Sequence, residues 1–179
     1  MIKFILTNLL ILVLAFQVKS QVLLLPTDPI QFKVNAKSSS SIEMGASEGQ
    51  SLNNVYGINT LNQSSNDGLI LRYPIDSVVH EGDVLLLSFY SRSIQSKKET
   101  GESFIEVALD RFVNGKYNWP PLFERGMSFG SKWVLTQIPF IAGRDVAKGE
   151  MALMIKCGKF PQIFELKDIS LLIISKPRI

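Results

Sequence analysis

The sequence has very little cysteine and histidine, the residues from which zinc sites and many nucleophilic active sites are built. Its 179 residues include one cysteine, Cys157, and one histidine, His80. One cysteine cannot form an internal disulfide bond. His80 is followed by Glu81-Gly82-Asp83, which is typical of a turn. Neither a Ser-His-Asp triad nor a Cys/His metal cluster is therefore expected.

Cys157 is predicted to be a buried free thiol. It ends the segment MALMIKC, in phase with Met151, Leu153 and Ile155, and free cysteine is among the residue types most often buried. A catalytic thiolate needs a neighbouring base, most often a histidine. Because His80 is expected in a turn, we interpret Cys157 as part of the core.

The sequence also lacks a large excess of charge of one sign. The formal net charge is +3, and two of the 19 Lys and Arg lie in residues 1–20, which leaves 17 against 16 Asp and Glu. No cluster of Lys and Arg is dense enough for a nucleic-acid groove, which needs many phosphate contacts. We therefore expect no nucleic-acid partner.

No apolar run is long enough to span a membrane. The uncharged segment 4–16 is shorter than the ~20 residues that a spanning helix needs. With Lys3 before it and Val18-Lys19-Ser20 after it, this segment has the three parts of a secretory signal peptide. We predict that residues 1–20 are a signal peptide and that the protein is secreted, to an extracellular or periplasmic location. Residues 21–179 then form one domain without a membrane span.

The sequence is rich in the period-2 alternation of β-strands, seen best in segments 84–92 and 104–110. Tyr90 and Arg92 lie on the polar side of the first segment, and Glu106 lies on that of the second. The side chains expected to face the core are Leu85, Leu87, Phe89, Ile105, Val107 and Leu109. A single step of register would reverse every one of these assignments.

Further strand-like segments alternate with turn signals along the chain, at 30–35, 68–73, 132–140, 150–157 and 163–174. Asn114-Gly115 is a strong hairpin signal. No window has a helical apolar stripe longer than about two turns. Eight or more short strands separated by turns predict an all-β fold, a jelly-roll β-sandwich of two antiparallel sheets.

Two groups of side chains suit a sugar, which needs aromatic faces against its ring and planar polar groups for its hydroxyls. Tyr90, Arg92 and Glu106 would share one open sheet face if their strands were neighbours. The alternative is an exposed salt bridge that contributes little.

The second group is Tyr117 and Trp119, in a segment that Pro120-Pro121 predicts to be a loop. These side chains would form a stacking platform at the rim of the sheet, or else a hydrophobic plug at the end of the sandwich. Trp133, which starts a strand, is predicted to pack in the core or at its rim.

The order of the strands VLLLSFYSRS, KWVLTQIPF and GEMALMIKCG–KFPQIFELKDISLL resembles the carbohydrate-binding modules of the family 4/9/22 type. These are galactose-binding-like jelly rolls attached to secreted glycoside hydrolases, and the modules ahead of xylanase-like enzymes are the most similar. The resemblance covers residues 80–174 well and residues 21–79 poorly. It includes an acidic residue and an Ile-Ser-Leu ending in the last strand, at Asp168 and Ile169–Leu171.

The resemblance implies a noncatalytic module that binds a polysaccharide or oligosaccharide, with xylan as the first candidate. Such modules usually lead into a catalytic domain, so we expect this protein either to act alone or to have a separate chain as its glycoside hydrolase partner. The resemblance also implies a structural calcium ion near Asp168, with oxygen ligands from loops such as 43–48. An adhesion or assembly module that docks a protein or envelope component is the alternative. A polysaccharide lyase using Tyr90, Arg92 and His80 ranks third.

Glycoside hydrolysis is disfavoured, because Glu106 and Asp110 are four strand residues apart. That spacing gives about 13 Å between them, whereas the two carboxylates of a glycosidase lie roughly 5–10 Å apart.

Cleavage of the leader is the first testable prediction. We expect the exported protein to begin at, or within a few residues of, Gln21, because small residues precede it at the cleavage positions. N-terminal sequencing of secreted material checks this. Retention of Met1 in that material would contradict the prediction.

Overall fold

The computed structural model describes residues 21–25, 30–35, 41–44, 55–62, 69–114 and 116–174. These residues form eleven β-strands and no helix. The strands are β1 (Gln21–Leu23), β2 (Lys33–Asn35), β3 (Ser41–Met44), β4 (Val55–Asn59), β5 (Ile70–Ile75), β6 (Val84–Ser96), β7 (Ser103–Val113), β8 (Lys116–Phe129), β9 (Val134–Ile141), β10 (Met151–Lys156) and β11 (Gln162–Ile174). The predicted signal peptide lies outside the described residues and stays a prediction.

The strands form two antiparallel sheets that pack face to face. Sheet A has the order β3-β4-β11-β6-β9, with β1 also paired with β11, and sheet B has the order β2-β5-β10-β7-β8. The prediction of an all-β sandwich of two antiparallel sheets is confirmed. Strands β1, β3 and β4 were not among the predicted strands, and Tyr56, which the sequence left unassigned, is a buried residue of β4.

The core lies between the inner faces of the two sheets. Its position explains why buried and outward-facing residues alternate along the strands. Its buried side chains from sheet A include Leu85, Leu87, Phe89, Phe164, Leu166 and Leu171, and those from sheet B include Leu71, Ile105, Val107, Leu109, Leu153 and Ile155. The six side chains predicted to face the core all do so. Cys157 is fully buried next to β10, as predicted, and burial raises the pKa of its thiol.

Consecutive strands β6 and β7 belong to different sheets, so the chain crosses the sandwich between them. Buried serines at the two ends of this crossover hold it in place. Ser103 Oγ donates to Ser93 Oγ at 2.8 Å, and Ser93 Oγ donates to the carbonyl of Gly101 at 3.1 Å. Because each of these two hydroxyls has a hydrogen-bond partner, both serines can be buried at the crossover at little cost.

Gln162 joins the two sheets at the same end of the sandwich. Its side-chain Oε1 accepts from the Phe104 amide at 2.7 Å, and its Nε2 donates to the Phe104 carbonyl at 2.6 Å. Gln162 is in β11 of sheet A and Phe104 is in β7 of sheet B. This buried amide therefore acts like a short additional strand pair between the sheets.

The segment 116–126, predicted to be a loop, is instead part of the 14-residue strand β8. Strand β8 is the edge of sheet B, where proline is tolerated because one side of the strand needs no ladder hydrogen bonds. Pairing with β7 shifts register between Leu109 and Arg111, and the Trp119-Pro120 peptide is cis. The two prolines thus fall in a bulge and do not end the strand.

Adjacent leucines of β6 test the assignment of faces. Leu87 is fully buried between the sheets, whereas Leu86 points outward and is only partly buried. We expect Leu87→Ala to lower the free energy of unfolding by about 2–5 kcal/mol, because it leaves a cavity in the core. Leu86→Ala should cost less, about 1 kcal/mol. Urea denaturation of both variants measures this, and equal losses would contradict the described register.

Candidate functional site

The outward side of sheet B carries the exposed aromatic side chains and unpartnered polar atoms expected of a binding site. We call it the sheet B face and define it by outward side chains of four neighbouring strands. They are Arg72 of β5, Met154 and Lys156 of β10, Glu106, Asp110 and Phe112 of β7, and Tyr117, Trp119 and Glu124 of β8. From Phe104 to Phe112 the face extends about 26 Å along β7, enough for several linked sugar rings.

Small side chains form the middle of this face. Ala108 and Ala152 are fully buried there, and Met154 packs beside them with Ile70 and Phe112 around the edge. Alternation places these residues on the outer side of β7 and β10, where larger side chains would fill the surface. The alanines lower the middle of the face relative to its aromatic margin.

The aromatic margin runs along the hairpin of β7 and β8. Phe112 and Tyr117 are directly paired and meet edge to face, with ring centroids 6.1 Å apart. Tyr117 and Trp119 are 6.5 Å apart. Trp119 is 67% exposed and Tyr117 is 47% exposed, so both offer ring surface to a ligand. Large exposed aromatic surface of this kind commonly marks an interaction site.

Asp110 lies beside this margin and is the most unusual residue of the face. It is only 4% exposed, and its Oδ1 has no hydrogen-bond partner within the described part of the chain. Burial raises the pKa of this carboxyl, and the charges of Glu124 and Glu106 add to the effect, while Lys156 and Arg72 oppose it. A perturbed carboxyl in such a place is a common mark of a functional site.

Arg72 supplies a second unsatisfied group on the same face. Its guanidinium carbon lies 3.8 Å from the centroid of the Phe112 ring, a stacked cation–π contact. Its Nε is buried and lacks a hydrogen-bond partner among the described residues. A donor and an acceptor without partners therefore occupy one face, on strands β5 and β7 with β10 between them.

Lys156 organises the charges at the other end of the face. Its Nζ donates to Glu106 at 2.7 Å and also to Glu124, which lies across β7 from it. Burial works against the charged ammonium, but these two hydrogen bonds raise the pKa of Lys156. The bond from Lys156 is the main cause that lowers the pKa of Glu106. Both carboxylates are thus held in fixed positions by one ammonium group.

The predicted trio of Tyr90, Arg92 and Glu106 is not brought together. Tyr90 and Arg92 are on the outer side of sheet A, and Glu106 is on the outer side of sheet B, because β6 and β7 are in different sheets. Arg92 Nε already donates to Glu165 at 2.5 Å. The prediction of one shared face was wrong, since consecutive strands of the chain were assumed to be neighbours in a sheet.

Trp133 belongs to the sheet A side as well. It is half-buried outside the core, with the Arg92 guanidinium 4.8 Å and the Lys167 ammonium 4.6 Å from its ring centroid. Lys167 also lies 5.3 Å from the Tyr90 ring. Of the two predicted positions, core or rim, the core is wrong: the Trp133 ring contacts two cations on the outer surface. The charged side chains there are thus already paired with one another or with aromatic rings.

Tyr117 and Trp119 do occupy an exposed platform, although on an edge strand and not on a loop. Arg72, Asp110, Phe112, Glu124 and Lys156 were not predicted as site residues. For Asp110 a signal existed, because alternation puts it on the same side of β7 as Glu106. Its burial could not be read from the sequence, since it depends on pairing with β10, which is distant in the chain.

The calcium predicted near Asp168 stays a prediction. Asp168 is exposed and has φ 51° at a bulge in β11. Among the described residues no group of three His, Cys, Asp or Glu side chains could hold a metal ion. Part of the loop 43–48 that was expected to supply ligands lies outside those residues.

The described part of the chain has no helix long and apolar enough to cross a membrane.

Removal of the Asp110 charge should stabilise the protein. A carboxyl whose pKa is raised by folding contributes its stability below the unfolded pKa, and this contribution is lost as pH rises through the folded pKa. At pH 7 we therefore expect Asp110→Asn to raise the free energy of unfolding, because the variant has no buried charge. The gain should vanish in acid, where wild-type Asp110 is also neutral.

Chemical denaturation at neutral and acid pH measures this gain. Glu106→Gln is the matched control, because Glu106 is the other outward carboxyl of β7 but is paired with Lys156. It should give no stabilisation at pH 7. A loss of stability at pH 7 in Asp110→Asn would show that the carboxylate has a partner and is not strained.

Comparison with protein-family models finds no match, and comparison with curated protein sequences finds none either. Solved structures do match. A family 4 carbohydrate-binding module has a TM-score of 0.55 at 11% identity, with 82% of this chain and 89% of that chain covered. The xylan-binding CBM22-1 domain of Paenibacillus barcinonensis Xyn10C has a TM-score of 0.55 at 15% identity, with 88% and 98% covered.

A family 11 module from Clostridium thermocellum, solved with a β-1,3-1,4-mixed-linked tetrasaccharide, has a TM-score of 0.54 at 14% identity, with 84% of this chain and 94% of that chain covered. At these identities the likeness concerns the fold, and it extends over nearly the whole of each module. The two sheets, their outer faces and these matches lead to one conclusion: the chain has the jelly-roll fold of carbohydrate-binding modules.

Proposed function

We propose that this protein is a secreted, noncatalytic carbohydrate-binding module that holds a polysaccharide chain along the sheet B face. One observation carries the proposal: exposed Trp119 and Tyr117 stand beside Asp110 and Arg72, whose buried polar atoms lack partners. Aromatic rings cover the apolar side of a sugar, and the polar groups pair with its hydroxyls. The signal-peptide pattern of residues 1–20 supports export.

The ion pairs of the sheet B face favour ligand binding over catalysis. Lys156 holds Glu106 and Glu124 as ion pairs, so neither of these carboxylates is a free acid or base. His80, proposed for the lyase alternative, is in a turn at the end of sheet A, where its amide donates to Asp83 and its ring lies 3.5 Å from Asp145. A role in holding a ligand fits these residues better than a role in cleaving it.

Xylan and mixed-linkage β-glucan are the first ligands to test. The structural neighbours described above include a xylan-binding domain and a module solved with a mixed-linked tetrasaccharide. Both glycans are neutral linear chains, which suits a face about 26 Å long.

The two tryptophans provide a matched test, because they lie on opposite sides of the sandwich. Trp119→Ala should weaken binding of xylohexaose by roughly thirtyfold, equivalent to about 2 kcal/mol for an exposed aromatic hot spot. Its melting temperature should change little, because the ring is mostly exposed. Trp133→Ala should leave the affinity unchanged. Isothermal titration calorimetry of both variants measures these effects.

Arginine variants separate the two faces in the same way. Arg72→Ala should weaken binding, whereas Arg92→Ala should not, because Arg92 is paired with Glu165 on sheet A. If Trp133→Ala and Arg92→Ala abolish binding while Trp119→Ala does not, the glycan lies on the outer side of sheet A and the assignment of the site is wrong.

An adhesion or assembly module is the second candidate, and one observation favours it. Strand β9 is an edge of sheet A, carries no charge from Val134 to Ile141, and exposes Val134, Leu135 and Ile141. Exposed edge strands are templates for pairing with another chain. Correctly folded protein that gives no heat with any glycan would favour this candidate, and product formation from a polysaccharide would favour the lyase.

A further inference from the structure

The inference rests on the proposed glycan site and concerns what Asp110 selects there. Asp110 occupies an outward position of β7, opposite Ala152 on one side. On the other side, the pairing with β8 shifts register, so no residue of β8 is paired directly with Asp110. Bulges are frequent next to functional sites, where they redirect a side chain or interrupt pairing. The carboxyl is therefore buried next to Ala152 and beside an interruption in the edge of the sheet.

The two unpartnered groups of the face have opposite hydrogen-bonding needs. Asp110 Oδ1 needs a donor, and Arg72 Nε needs an acceptor. A buried polar group without a partner costs free energy that a ligand recovers when it supplies the partner. Sugar hydroxyls donate and accept, whereas an ammonium group cannot accept and a carboxylate cannot donate. The matching ligand is consequently a neutral, hydroxyl-bearing ring.

We propose that Asp110 is the specificity-determining residue of this site, selecting neutral glycans over uronic-acid glycans, and that it makes binding weaken in acid. Selection against uronic acids follows from Asp110 itself. The Asp110 carboxylate is buried and can only accept hydrogen bonds. A carboxylate on the ligand cannot donate to it and repels it at close range.

The acid dependence follows from the direction in which Asp110 titrates. A hydroxyl that donates to the carboxylate stabilises its charged form, so affinity is complete above the folded pKa of Asp110 and falls as the carboxyl is protonated. The charged groups that face Asp110 are Lys156 of β10, Arg72 of β5, Glu106 on its own strand and Glu124 of β8. The Tyr117 phenol also faces it and has a pKa raised by burial and by the Asp110 charge.

Among these groups, Asp110 is the carboxyl whose pKa is raised. Burial raises its pKa, whereas the hydrogen bond from Lys156 lowers the pKa of Glu106. The pKa values of Lys156 and Tyr117 are raised further above neutrality, so both keep their neutral-pH protonation state in acid.

Calorimetry with xylohexaose and with an alginate oligosaccharide, at pH 7 and in mild acid, tests the proposal on the full-length secreted protein. Wild-type protein should bind xylohexaose, lose affinity in acid, and bind the alginate fragment at least tenfold more weakly. Asp110→Ala should lose at least tenfold in affinity at pH 7. Asp110→Asn keeps an acceptor oxygen but has no charge, so at pH 7 it should bind as weakly as wild-type protein binds in acid, and it should lose the dependence on pH.

Glu165→Gln is the control, since it removes one carboxylate from the outer side of sheet A and should bind with the wild-type pH profile. Circular dichroism melts confirm that each variant is folded. A pH profile unchanged in Asp110→Asn, wild-type affinity in Asp110→Ala, or alginate bound as tightly as xylohexaose would each overturn the inference while leaving the glycan site itself standing. Wild-type protein that binds no glycan at any pH would overturn both.

Discussion

Burial of one side of each sheet against the other is the constraint on which the rest of the structure depends. Side chains alternate along a strand, so once Leu85, Leu87 and Phe89 are committed to the core, Tyr90 and Arg92 must point outward. The same commitment of Ile105, Val107 and Leu109 fixes Glu106 and Asp110 on the outer side of β7. The apolar side chains that face the core therefore determine which residues occupy the two outer faces of the sandwich.

The two outer faces differ in how completely their polar groups are satisfied. On sheet A, Arg92 is paired with Glu165, and Trp133 lies between two cations. On sheet B, the groups around Lys156 are paired, but those around Asp110 are not. This contrast is the physical reason to place the ligand on sheet B, because a binding site must keep some interactions unmade until the ligand arrives.

Asp110 illustrates the cost of such a site. A buried carboxylate without a full set of partners destabilises the folded state at neutral pH, and Asn would fill almost the same space without the charge. Residues that lower stability are commonly kept where activity needs them. The crossover serines and Gln162 show that the same chain satisfies buried polar groups elsewhere, at the joint between the sheets.

The sequence by itself determined which side chains of β6 and β7 face the core, the hairpin that joins β7 to β8, the buried Cys157 and the all-β sandwich. All of these depend on local alternation or on turn chemistry within a few residues. Only the tertiary structure decided which sheet each strand joins, because pairing partners such as β7 and β10 are far apart in the chain. That decision separated Arg92 from Glu106 and brought Arg72, Asp110 and Lys156 onto one face. It also kept Pro120-Pro121 within an edge strand, where unpaired backbone tolerates proline.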